Sequence, residues 1–298
     1  MIGPESTSSS RPTIGVFDSG FGGLTALRAL VQRLPRARFT FLGDTARLPY
    51  GSKSRRTIAR YAAQSAQFLV HEQGAEFLII ACNTASALAL DAIQDAVPAV
   101  PVLGVIEPGA ATARSASQTG DVLVIATDAT VQSHAYTAAC HAHGLRVLEK
   151  ACPLLVPLVE EGWTDHPVTA EVIGIYFREL MDESAAHGLH PDTLVLGCTH
   201  YPLLRPLIAK SVPESMRVID SAEATAEAAV HLVNGRAVFP ILPKSASQES
   251  ERAGETTNPP LQAEICCFAT DSVGKFERLG SHFLGHPVGP VELIDLGG

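Results

Sequence analysis

The sequence predicts an α/β protein built on parallel sheets. Three observations carry this. Short apolar runs alternate with segments of helical period along nearly the whole chain, a pattern that means strands buried on both faces by crossover helices. Two of those runs end in the same kind of turn, a cysteine followed by hydrogen-bonding side chains and then a helix. One half of the chain also loosely repeats the other. With 298 residues, the length favours two domains.

Taken in order, residues 13–17 form a first strand candidate and 22–34 a helix, followed by a second strand at 39–42. Ile58, Tyr61, Ala62, Phe68 and Leu69 then recur at helical spacing. Residues 76–81 read as a third strand and 84–96 as a helix. Strands at 102–105 and 122–126 follow, with helices at 107–115 and 131–143. The clearest helix is 169–187, where Val172, Ile173, Tyr176, Phe177, Leu180 and Met181 make one apolar stripe. Residues 193–197 are another strand. Residues 243–260 are polar and of low complexity, an expected mobile surface insertion. A strand at 263–269 and a helix at 273–284 close the chain as a final βα unit. The segments 13–18 and 121–127 are similar strands ending in polar turns, and nearly the same length of chain separates the two cysteine strands. Buried strands also match by chance, so duplication stays open at this point.

The chemistry concentrates at strand ends, where open α/β sheets bind ligands. Cys82 closes an apolar run and is followed by Asn83 and Thr84. Cys198 does the same and is followed by Thr199 and His200. A helix N-terminus or a nearby cation favours a thiolate, and His200 is placed to exchange a proton with Cys198. Buried packing is the plain alternative for any free cysteine, and it is the expected role of Cys140, Cys152, Cys266 and Cys267. The turn Asp18-Ser-Gly-Phe-Gly-Gly23 offers glycines for positive φ or close backbone approach and helix N–H groups for an anion. Asp18 can equally be a capping residue. In the turn that follows the second strand, backbone amides and the Tyr50 and Ser52 hydroxyls can hold a carboxylate. Glu160 and Glu161 end the segment 153–161, and an acidic pair at a helix end is ordinarily a solvated face.

Composition excludes several classes. A net charge of −9 argues against nucleic-acid or anionic-membrane partners. Six cysteines without C-x-x-C or Cys/His spacing indicate neither a disulfide scaffold nor a metal site. The Ser-rich residues 1–12 lack the apolar stretch of a signal peptide and read as a disordered extension. No apolar run approaches the roughly 18 residues of a membrane span. A reduced cytoplasmic protein is expected. Three function classes stay open on these residues: proton transfer between two opposed thiols, covalent catalysis by one cysteine, and ligand binding without chemistry.

The ordered segments Ile14-Gly-Val-Phe-Asp-Ser-Gly-Phe-Gly-Gly23, Asp44-Thr-Ala-Arg-Leu-Pro-Tyr-Gly-Ser52, Ala81-Cys-Asn-Thr-Ala85, Cys152-Pro-Leu-Leu-Val-Pro-Leu-Val-Glu160 and Gly197-Cys-Thr-His-Tyr-Pro202 resemble the glutamate racemase family. The resemblance implies two pseudo-symmetric parallel-sheet α/β domains with the active site in the cleft between them. One domain would comprise residues 13–104 and 220–298, and the other 105–219. It implies a cofactor-independent enzyme that interconverts L- and D-glutamate for peptidoglycan synthesis, as a homodimer. Cys82 and Cys198 would carry protons on opposite faces of the substrate Cα, Cys82 for the D-isomer and Cys198 for the L-isomer. Asp18, Glu160 and His200 would assist. Asp18, Ser19, Pro49, Tyr50, Gly51, Ser52, Asn83, Thr84, Thr130, Thr199 and His200 would bind substrate. The chain departs from the family pattern at 126–132, where Gln132 stands in place of a common lysine, and at 268–270.

Overall fold

The structure is a computed structural model that describes residues 11–235 and 263–297. The extension, apart from its last two residues, and the expected insertion at 243–260 lie outside the described residues. The first half runs β1 (Thr13–Asp18), α1 (Leu24–Arg33), β2 (Arg38–Gly43), α2 (Arg55–Gln67), β3 (Phe77–Ile80), α3 (Asn83–Leu88), α4 (Leu90–Ala96), β4 (Val102–Gly104) and α5 (Ile106–Ala116). It continues through β5 (Asp121–Ala126), α6 (Asp128–Gln132), α7 (Ala135–Ala142), β6 (Arg146–Ala151), α8 (Leu155–Glu160), α9 (Pro167–Ala186), β7 (Thr193–Gly197), α10 (Arg205–Ser211), β8 (Arg217–Asp220) and α11 (Ser221–Asn234). The described chain ends with β9 (Glu264–Ala269), α12 (Val273–Leu284) and β10 (Val291–Leu293).

The strands form two parallel sheets, ordered β10-β9-β2-β1-β3-β4 and β6-β5-β7-β8. The order β2-β1-β3-β4 recurs as β6-β5-β7-β8, so the duplication left open by the strand sequences is present in the topology. Register agrees as well: Phe17 pairs with Ile80 two residues before Cys82, and Ile125 pairs with Leu196 two residues before Cys198. Both cysteines therefore leave the carboxyl end of a central strand. Every residue of β3, β5 and β7 is buried, as a sheet covered on both faces requires.

Several elements differ from the sequence reading. The segment 84–96 is two helices, because Ala89 leaves the helical region at φ −135° and ψ 2°. The segment 131–143 is likewise split by His134 in the left-handed region at φ 55°. Strands β6 and β8 went unread because they are edge strands with charged residues and incomplete burial. The chain does not close on a βα unit either. After α12 comes β10, which pairs with β9 and extends the first sheet. Asp220, assigned by sequence to the returning segment, is the last residue of β8, and its side chain caps α11 by accepting from Ala222 and Glu223 N–H groups.

The end of β2 is locked to the turn after β1. Asp44 N–H donates to the Asp18 carbonyl at 3.0 Å, and a Cβ at Gly43 would lie 2.1 Å from the Gly20 carbonyl oxygen. Gly43→Ala is therefore expected to destabilise the protein by about 1–3 kcal/mol. Gly274→Ala, in α12 with nothing within 4 Å of the added carbon, is expected to raise stability by up to about 1 kcal/mol. Urea unfolding of both variants checks this, and equal effects would contradict the packing described.

Candidate active site

A cavity of about 590 Å³ lies between the carboxyl ends of the two sheets, and both Cys82 and Cys198 line it. Cys82 occupies the N-cap position of α3. Its Sγ accepts from the Ala85 N–H at 3.4 Å and donates to Ser19 Oγ at 3.4 Å. Burial pushes this thiol up to about 12, and the Asp18 carboxylate adds to the effect, while Ser19 and the Ala85 amide oppose it. These influences favour the protonated thiol at Cys82.

Cys198 is served differently. Its Sγ lies 3.9 Å from His200 Nδ1. On the other side of the ring, His200 Nε2 is 3.4 Å from Glu160 Oε1, an ion pair rather than an aligned hydrogen bond. Glu160 Oε2 accepts from Lys275 Nζ at 3.0 Å. Burial works against a charged His200, but the interaction with Cys198 and the ion pair with Glu160 outweigh it and raise the imidazole to about 10. Burial also works against an ionised Glu160, yet His200 and Lys275 hold its carboxyl below the ordinary carboxylate range. Cys198, His200 and Glu160, which line the cavity, thus form a chain of interacting groups that ends on the partly exposed Lys275 ammonium.

Asp18 is buried and does not line the cavity; it stands behind Ser19 and Gly20, which do. Its Oδ2 accepts from the Gly20 N–H at 3.0 Å, and Oδ1 has no partner. Burial raises its carboxyl, against His200 and the amides of Gly23, Gly20 and Ser19. The Gly20 amide is thus turned onto Asp18 itself. Gly22 and Gly23 act through close approach, since Gly20, Gly22 and Gly23 all have ordinary φ and an added Cβ on Gly20 would meet only ordinary contact. A Cβ on Gly22 would lie 2.4 Å from Thr199 Oγ1 and 2.7 Å from His200 Nδ1.

Pro49, Tyr50, Gly51 and Ser52 line the cavity as expected, but the Tyr50 hydroxyl points away from it. It donates to buried Asp44, which also takes hydrogen bonds from Arg47 and Thr270, so this hydroxyl is not available to a bound carboxylate. Asn83 lines the cavity with its carbonyl held by Tyr136 at 2.7 Å and its buried amide nitrogen without a protein partner. Thr84 and Thr199 line it too, whereas Thr130 lies fully buried behind it. Thr130, Thr84 and Thr127 close a triangle of hydroxyls at 2.9–3.1 Å.

Sequence reasoning missed Thr127, Pro153, Val156, Pro157 and the charge of Lys275. The duplication could have found Thr127, because it follows β5 where Ser19 follows β1. Nothing local marked Lys275, which comes from a helix far along the chain. Among the described residues no group of three or more His, Cys, Asp or Glu side chains is placed to hold a metal ion, and no helix is long and apolar enough to cross a membrane.

The raised His200 has a consequence for stability. Its folded-state value of about 10 lies above the ordinary 6.5, so its contribution is complete below pH 6.5 and lost as the pH rises towards 10. The stability difference between the native protein and His200→Gln is expected to shrink across that window in urea unfolding. A difference that stays constant or grows would contradict the ion pairing.

Residues 14–229 match the Asp/Glu/Hydantoin racemase family model. The chain is 52% identical to a glutamate racemase of Koribacter versatilis, over 98% of this chain and all of the relative. It is 41% identical to one of Geobacter metallireducens, over 95% of this chain and 96% of that one. Among solved structures, a glutamate racemase isoform from Bacillus anthracis superposes with a TM-score of 0.82 at 33% identity, covering 96% of this chain and 98% of that one. A Francisella tularensis glutamate racemase in complex with D-glutamate gives 0.80 at 34%, covering 97% and 98%. Two parallel sheets with the same strand order, a cysteine at the end of each and relatives alike over their full length lead to one conclusion: the chain belongs to the glutamate racemase family.

Proposed function

We propose that the protein interconverts L- and D-glutamate without a cofactor, by proton transfer between two cysteines across the substrate Cα. The observation that carries this reading is the presence of both Cys82 and Cys198 in one cavity, each at the end of an equivalent strand. A covalent nucleophile would use one sulfur and leave the second, with its separate proton partners, without a role.

In the reaction one sulfur enters as thiolate and takes the Cα proton, breaking the C–H bond. The other enters as thiol and delivers its proton to the opposite face, leaving as thiolate. The two sulfurs end with exchanged protonation, and the roles reverse in the other direction. By resemblance Cys198 takes the L-isomer proton and Cys82 the D-isomer proton. His200, with Glu160 behind it, serves the Cys198 side, and Asp18 with Ser19 serves the Cys82 side. A Cα–H is a very weak acid, so charge developing at Cα and its carboxylate must be met by donors already in place. The partnerless Asn83 amide and the Thr84 and Thr199 hydroxyls supply such donors, with the backbone of Tyr50–Ser52 also lining the cavity. Thr130 acts through its bonds to Thr84 and Thr127.

The wider reading takes residues 13–104 with 221–298 as one domain and 105–220 as the other, the boundary moved by the one residue that belongs to β8, a homodimer as the working form, and the cytoplasm, where peptidoglycan precursors are made, as its place. Circular dichroism of L-glutamate solutions tests the activity. The native protein is expected to bring the signal to zero, and Cys82→Ala and Cys198→Ala each to slow this by about 10²–10⁴. Undiminished turnover by either variant would remove the two-cysteine scheme.

A further inference from the structure

Lys275 sits outside the matched family region, on α12, and outside every segment that carried the resemblance. Its ammonium nevertheless reaches the proton-carrying chain of the opposite half of the molecule. Nζ lies 3.0 Å from Glu160 Oε2 and 5.6 Å from the centre of the Phe21 ring. Glu160 has only two oxygens to offer, and Oε1 is the one beside His200 Nε2. With Oε2 fixed by Lys275, the carboxylate plane is set, and with it the direction from which His200 is held. Phe21 and Phe283 flank the imidazole at 6.1 and 5.3 Å between ring centres, and Nδ1 also lies 3.4 Å from Thr199 Oγ1, so Glu160 is the charged support on the Nε2 side.

From this arrangement we infer that Lys275 is a positioning residue of the Cys198 side, acting through Glu160 to hold His200 Nδ1 towards the sulfur. The inference rests on the racemase reading above and adds a residue supplied by α12. The returning segment, beyond extending the first sheet, thereby completes the proton relay of the second. Lys275 is not itself a proton carrier here; its side chain is 38% exposed and lies at the outer end of the chain.

The charged groups that face Glu160 are His200 from the turn after β7 and Lys275 from α12, with exposed Glu161 next to it in the chain. His200 in turn faces Cys198 and Asp18. Removing Lys275 takes one of the two cations from the carboxylate, so Glu160 should become easier to protonate. Partial exposure of the ammonium limits the size of this upward change.

The test compares the native protein with Lys275→Met, Lys275→Arg, Glu160→Gln and the Lys275→Met/Glu160→Gln double variant. Loss of positioning is expected to lower kcat of Lys275→Met by about ten- to a hundredfold. Lys275→Arg should recover most of it, and Lys275→Met should cost nothing further once Glu160 is Gln. An unaltered kcat in Lys275→Met, or the same fold loss in both backgrounds, would overturn the inference. A second readout does not need turnover: the Glu160 carboxyl titration, followed by NMR of carboxyl-labelled protein, should move up in Lys275→Met. An unmoved midpoint would also overturn it. Should the native protein fail to racemise glutamate while the midpoint moves as described, the racemase reading falls and the Lys275–Glu160 coupling stands.

Discussion

The contact between Gly22 and the Thr199–His200 pair sets how closely the two sheets' carboxyl ends meet. At the 2.4 Å and 2.7 Å a Cβ there would have to these side chains, no other residue could occupy the position without moving them. This approach carries His200 up to Phe21 and brings the Thr199 carbonyl within 3.3 Å of Thr25 Oγ1. Other links across the cleft depend on the same spacing: Asn83 with Tyr136, Thr84 with Thr127, and Glu160 with Lys275. Each of these ties a residue lining the cavity to a partner from the other sheet's half. The cavity is therefore enclosed by short polar contacts, and its shape is fixed by the groups that would hold a ligand.

The backbone symmetry of the two halves is not matched by their electrostatics. Cys82 is pushed towards the thiol by its burial and, beyond that, by the nearby buried carboxyl of Asp18. Cys198 lies next to an imidazole that its neighbours favour in protonated form. A reaction that needs one thiol and one thiolate at the start gains from such inequality, because unequal surroundings decide which sulfur carries the proton. The groups behind the sulfurs differ accordingly: a carboxyl and a hydroxyl on one side, and a histidine, a carboxylate and an ammonium on the other.

Much of this was legible in the sequence for physical reasons. Central strands such as Phe77–Ile80 and Thr193–Gly197 are buried on both faces and read as unbroken apolar runs. The cysteines stand out because they interrupt those runs at the carboxyl end. Arg146–Ala151 and Arg217–Asp220 were not legible, since an edge strand needs no apolar face of that kind. The breaks at Ala89 and His134 are backbone choices that helical periodicity does not record. The Tyr50 hydroxyl was expected to face a ligand, but its partner Asp44 lies six residues back in the chain, and only the folded loop turns one onto the other. Lys275 is the extreme case. Its role depends on a sheet extended by the chain's return, and no spacing near it encodes that.

The central claim is that two sulfurs act on opposite faces of one carbon, and the fate of the α-hydrogen in D₂O tests it most directly. In the earliest turnovers from L-glutamate, analysed by mass spectrometry after separation of enantiomers, the D-glutamate formed should carry solvent deuterium while the remaining L-glutamate carries none. Deuterium appearing equally early in both enantiomers, or D-glutamate that retains the original hydrogen, would contradict two opposed proton carriers.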